Sequence, residues 1–191
     1  MRKKRTAVIV FCLIALSLFY YATAKKEVEL IEAKTVGFAS FEELDAARPI
    51  IVIGEKIEEV DTEIFRSKIS GKVVGGYTKS EFLIQKILKN EYNPKIIDNK
   101  SMLVLESSFV SHEANKIYSI NGYKNMKRGD KYLLFLNNEK DGLFAIRGIT
   151  FGKVPLSNNG IEIQSITKEE EESNKRLFGE IFKQAREKYA E

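Results

Sequence analysis

The sequence predicts a mainly β domain with a short helix before it and a longer helix after it, the strands forming a closed antiparallel barrel. Three observations predict this. From residue 50 onward, β-branched and aromatic runs recur between turn-rich connectors. Several of those runs are apolar on both faces, whereas an antiparallel sheet with one wet face alternates cleanly. Residues 167–191 carry an amphipathic stripe that can cover one side of a barrel, which leaves both faces of the strands beneath it dry.

The elements follow in order. Residues 25–39 show no strong periodicity and read as a tether. Ser40-Phe41-Glu42-Glu43 fits a capping box, in which the Ser40 hydroxyl accepts from the Glu43 amide and the Glu43 carboxylate reaches back. A short helix over about 41–47 follows, and Arg48-Pro49 ends it because the residue before proline is pushed out of the helical region. Pro49 to Ile53 is a continuous β-branched strand, and Glu81 to Lys89 is a long strand with apolar residues on both faces. Ser101–Glu106, Lys131–Leu136 and Gly142–Gly148 continue the series, separated by turns at 95–100, 128–130 and 137–142. Asn158-Asn159-Gly160 precedes a last short strand, Ile161–Gln164. The segment 56–77 is too long for a tight hairpin and reads as a binding loop or an inserted piece with its own pairing. Thr167-Lys168-Glu169-Glu170 is a second capping box, and Leu177, Phe178, Ile181, Phe182, Ala185 and Tyr189 recur at helical spacing. This stripe is expected to dock on the barrel rather than on a partner.

Composition limits the function classes. The chain has 191 residues, 43% hydrophobic and 30% charged with 3 Pro, which suffices for one sizeable core. Of its 31 Lys and Arg, four (Arg2, Lys3, Lys4 and Arg5) cluster at the N-terminus, ahead of the first acidic residue, Glu27; the other 27 balance 27 Asp and Glu. The body is neutral, so charge supplies no argument for nucleic acid, and none is expected as a partner.

Those four basic residues precede Thr6 to Ala24, nineteen residues without a charge. Two readings compete. Ala22-Thr23-Ala24 provides an A-x-A ending for a secretory signal cleaved after Ala24. Phe19, Tyr20 and Tyr21 followed by Lys25 and Lys26 resemble the interfacial end of a membrane anchor. The bulky aromatics beside the cleavage site favour the anchor, with the membrane contacted through residues 6–24. The basic flank keeps the N-terminus in the cytoplasm under either reading, so the rest of the chain is expected outside the cytoplasm. The expected organisation is an anchor or signal over 1–24, a tether over 25–39, the barrel over 40–166 and the helix over 167–191. Cys12 lies within the apolar stretch and lacks the small neighbours of a lipid-attachment site, so the exported part has no cysteine.

The residues exclude several chemistries. His112 is the one histidine, and Ser107–Glu113 offers it serines and a carboxylate but no nucleophile elbow. No Cys/His cluster suits zinc. Glu58, Glu59, Asp61 and Glu63 are dense but lack the spacing of a calcium loop and read as an exposed charged strand. Gly71-Lys72 and Gly152-Lys153 lack the remaining residues of a phosphate loop. Tyr77, Tyr92, Tyr118 and Tyr123 near lysines could stack on single strands, or serve packing alone. No catalytic, cofactor-binding or metal residue is assigned.

Ser40–Leu44, Ile51–Glu55, Glu81–Lys89, Gly129–Leu136 and Gly148–Val154 together resemble a broad group of uncharacterised secreted or membrane-anchored bacterial proteins. Their domain is similar to an OB-fold of the netrin/tissue-inhibitor type, and the resemblance spans about residues 40–156. It implies an OB-like barrel in the cell envelope. The metalloproteinase inhibitors of the related fold act through a free N-terminal cysteine, which has no counterpart here. The expected function is therefore a non-enzymatic, membrane-tethered module binding an envelope protein, peptide or glycan. The alternatives are an envelope hydrolase using carboxylates and a structural assembly module acting through the C-terminal helix.

Overall fold

The computed structural model describes residues 26–47, 50–91, 93–157, 160–164 and 167–190. The expected anchor or signal, the Arg48-Pro49 stop, Tyr92 and the Asn158-Asn159 turn lie outside the described residues. Among the described residues no helix is long and apolar enough to cross a membrane. The chain is mainly β, in two sheets. The strands are β1 (Glu27–Ile31), β2 (Ile50–Arg66), β3 (Val73–Asn90), β4 (Ser101–Glu106), β5 (Ser108–Ser111), β6 (Lys116–Ile120), β7 (Lys131–Leu136), β8 (Leu143–Ala145) and β9 (Lys153–Pro155). The helices are α1 (Phe41–Ala46) and α2 (Lys168–Tyr189).

The larger sheet has the order β8-β4-β3-β2-β7-β9 and the smaller one β1-β6-β5. All pairs in the larger sheet are antiparallel except β4 with β8, which run parallel with Leu103 opposite Leu143. The barrel expected from the two-sided apolar runs is not closed. After β8 the chain touches the end of β7 at one bridge, Leu136 to Ile146, with the Asn137 amide donating to the Ala145 carbonyl at 2.9 Å. Gly148 and Ile149 then adopt left-handed backbone, φ 59° and 58°, which ends the ladder before a second pair forms. The expected strand 142–148 is for the same reason only three residues long.

The segment 56–77 is paired along most of its length. It is the outer half of one long hairpin, because β2 and β3 run for 17 and 18 residues and stay paired from Ile50/Asn90 to Arg66/Val73. The tether contains β1, whose Val28 and Leu30 alternate with Glu27 and Glu29 in parallel register with β6. The expected strand 161–164 is reduced to a bridge between Ile163 and Tyr123.

Both faces of the inner hairpin are dry, as the sequence predicts. Ile50, Val52, Phe82, Ile84, Met102, Val104, Leu134 and Phe144 form the core on one face. Ile51, Leu133, Phe135 and Val154 pack on the other against Phe41 and Leu44 of α1 and Phe178, Ile181, Phe182 and Ala185 of α2. The stripe on α2 is thus covered by the protein's own body except at Leu177, which is exposed. Its N-terminus carries the full capping box on Thr167 and Glu170. In α1 the Ser40 hydroxyl accepts from Glu43 N at 3.3 Å, while the Glu43 carboxylate accepts from Ala39 N rather than from Ser40.

Candidate functional site

Residue parity along the strands brings the ionisable groups together. Even-numbered residues of β2 and β4 face the interior: Ile50, Val52 and Gly54 lead to Lys56, and Met102 and Val104 lead to Glu106. One end of the interior is therefore apolar and the other ionic. The Lys56 ammonium lies 2.7 Å from the Glu106 carboxylate, with side chains only 3% and 0% exposed. Ser80 Oγ (2.5 Å), Tyr123 OH (3.0 Å) and the Met126 amide (2.5 Å) also donate to Glu106. Lys56 donates in turn to the Met126 carbonyl at 2.8 Å. A second pair lies beside the first. Lys153 Nζ is 3.3 Å from Glu162 and 4.5 Å from the centre of the Tyr123 ring, and it donates to the Lys124 carbonyl. Tyr132 OH donates to Glu162 at 3.1 Å.

Burial decides the ionisation of these groups. It pushes the Lys153 ammonium down to about 8, against the pull of Glu162 and Glu106. It also raises the Tyr123 and Tyr132 hydroxyls, both of which face carboxylates. Burial and mutual pairing account for these shifts. Glu106 and both ammoniums meet internal partners, while Glu162 Oε1 is buried without a hydrogen bond and has the largely exposed Lys127 ammonium at 3.3 Å. Contacts to Tyr123, Lys124 and Met126 tie the 122–126 segment to the strands.

Several concave surfaces open to solvent; one borders this set at Tyr123, Lys124 and Asn125, and another, with an ion pair across its mouth, lies elsewhere. At the end of the sheet where β4 and β8 begin, a cleft of about 410 Å³ has Met102, Leu103 and Phe144 on its floor and Glu81, Lys95 and Glu139 on its rim. Lys95 from the β3–β4 loop pairs with Glu139 from the β7–β8 loop at 3.0 Å across the mouth. Glu139 also accepts from the Gly142 amide at 2.8 Å. Lys95 and that amide hold the Glu139 carboxyl below its usual range. An apolar floor under a fixed pair of opposite charges can seat an apolar side chain and orient polar groups on either side of it.

The residues singled out from the sequence are scattered. His112 is exposed in the β5–β6 turn, where Glu113 pairs with Arg66 at 2.7 Å. Asp61 and Glu63 face Lys79, and Glu59 instead turns to Lys56 and Asn125. Among the described residues no group of three His, Cys, Asp or Glu could hold a metal ion. Tyr118 and Tyr123 are buried, Tyr118 stacked on Phe109 and Tyr123 on the ionic core, while Tyr77 donates to Glu63 on the hairpin. They form no common stacking face. The ionic core escaped the sequence reading although its signal was present, since Lys56 and Glu106 continue the inward parity of apolar strands. The cleft left no such signal, because three segments distant in sequence build it. No protein-family model matches this chain, and no curated protein matches it.

Proposed function

We propose that this protein is a non-enzymatic binding module held outside the cytoplasm by its N-terminal segment, with an OB-type domain that takes a peptide segment of an envelope protein in the β4–β8 cleft. The observation that carries the reading is a separation. The ionisable groups packed together in the body are buried and paired with one another, while the β4–β8 cleft has an apolar floor with one ion pair at its mouth. A hydrolase would need convergent ionisable groups open to substrate. The OB-type assignment is supported by the strand order β2-β3-β4-β8, the parallel β4–β8 pair and the return of β7 to β2. The apolar floor favours a peptide over a glycan. Apart from Leu177, the α2 stripe is occupied within the chain, which leaves the assembly reading little free surface.

The test places a photo-reactive residue at Leu103 in living cells. The expected result is a discrete adduct that Lys95→Glu weakens several-fold, and no adduct, or one indifferent to Lys95→Glu, overturns the proposal. A reporter fused after Glu191 should be active only outside the cytoplasm, and cytoplasmic activity would remove the address.

A further inference from the structure

The hairpin carries a concentration of exposed apolar side chains that neither the core nor the cleft uses. Among the described residues, Phe65, Ile69 and Val74 are large, apolar and exposed within ten positions of one another, and Ile69 is 99% exposed. They surround the Ser67–Lys72 turn. Arg66, Lys68 and Lys72 lie with them, and no acidic residue occurs between Glu63 and Glu81. Arg66 pairs with Glu113, which leaves Lys68 and Lys72 without an ion pair among the described residues.

The position of this tip follows from strand register. β1 runs parallel to β6 with Glu27 opposite Lys116, and Lys116 Nζ lies 3.4 Å from Glu27 and 3.0 Å from Glu29. Lys116 begins β6 directly after the His112–Asn115 turn, where Glu113 holds Arg66. Glu29, Arg66, Lys72, Val73 and Glu113 line a single cavity, so the start of β1 and the root of the tip occupy one end of the molecule. The cleft loops follow Asn90 and Leu136, at the opposite end of the same strands. Glu27 lies three positions after Ala24, the end of the uncharged stretch, a step that spans at most about 11 Å. The start of β1, where that stretch joins the body, is at the same end of the molecule as the tip.

We propose that the hairpin tip is a second membrane contact, in which Ile69 inserts into the interfacial layer of the bilayer holding the N-terminal segment while Lys68 and Lys72 lie over anionic head groups. It rests on the membrane-tethered reading. An apolar residue flanked by lysines matches an interface with an apolar layer below and negative charge above. Two attachment points fix the orientation of the body, with the cleft turned away from the bilayer.

The test uses the full chain with Cys12→Ser, reconstituted into phosphatidylcholine vesicles with or without phosphatidylglycerol. An environment-sensitive fluorophore is attached through Ile69→Cys or, as a control, through Ile97→Cys, an equally apolar exposed residue in the β3–β4 loop. Flotation after an alkaline wash reports the anchor separately. In anionic vesicles, quenching by a shallow lipid-borne quencher should be at least about threefold stronger at position 69 than at 97, and Lys68→Gln with Lys72→Gln should reduce it. A chain that fails to float removes the tethered reading and this proposal with it. A chain that floats with equal quenching at 69 and 97 removes this proposal alone. An apolar shift at 69 that depends on protein concentration and not on the lipid quencher overturns it in favour of a second copy of the chain.

Discussion

The two halves of the β2–β3 hairpin are the same pair of strands under different conditions. In the inner half, Ile50 to Glu55 pair on both sides, with β3 and with β7, and their side chains are buried or half-buried. In the outer half, from Glu58 to Arg66, β2 has lost β7, and most of its residues are exposed. Strand pairing continues through both, with five register shifts. Backbone pairing is therefore not what separates body from arm. The difference lies in what covers the side chains, which concentrates stability in the inner half and leaves the outer half free to meet a surface.

The comparison breaks most sharply at the ion pairs. Glu106→Ala removes the buried partner of the Lys56 ammonium, leaving it Glu59 and the Met126 carbonyl, and orphans the donors of Ser80, Tyr123 and Met126. It should cost about 3–5 kcal/mol by chemical unfolding of the full chain in detergent. Glu113→Ala removes the Arg66 pair on the arm, where the partners are 42% and 81% exposed, and should cost less than about 1 kcal/mol. Equal losses would mean that the arm is as integral as the body.

The sequence made the inner half legible because its rule is simple. A run that is apolar on both faces needs two covers, and α2 displays the stripe for one of them. The outer half resisted the same reading. Glu58 to Arg66 is charged and shows no apolar run, yet it extends as strand because β3 supplies its ladder. β1 and β5 are five and four residues long, too short for periodicity to register, and depend on β6 between them. The closure gap was equally hidden, since it turns on left-handed backbone at Ile149, a residue type that rarely takes it. The inward charges were the one feature written plainly: a lysine or glutamate on the buried parity of an apolar strand needs a partner of opposite sign, and here each finds one.

Glycines test the same contrast at smaller amplitude. A Cβ at Gly54, in the inner half, would meet the Leu83 carbonyl and approach the Phe82 ring to 2.5 Å. Backbone and a fully buried ring cannot yield cheaply, so Gly54→Ala should destabilise by about 1–3 kcal/mol. A Cβ at Gly75, in the outer half, would find only the Phe65 ring at 3.6 Å, an ordinary contact. Gly75→Ala should leave the unfolding midpoint within about 0.5 kcal/mol of the parent. A large loss at Gly75 would show that the arm packs more tightly than its exposure implies.

The mildest perturbation is pH, and it acts on the body from within. The Lys153 ammonium titrates near 8 in the folded protein because burial disfavours its charge, whereas the unfolded chain holds that proton to the ordinary lysine value near 10.5. Between those values the unfolded state binds more protons, so stability should rise as pH increases from 8 toward 10. The lysines raised by exposed partners, Lys79 and Lys116 among them, have the opposite sign but act only near 10.5 and above. The buried tyrosines, Tyr123 and Tyr132, also act in that opposite sense, from their unfolded value near 10 upward. The window from 8 to 10 therefore belongs to Lys153. Urea midpoints of the full chain in detergent should climb across it, and Lys153→Met should flatten the climb whatever it does to absolute stability. A climb that persists in that variant would place the responsible group outside the ionic core, and the arm would be the next place to look.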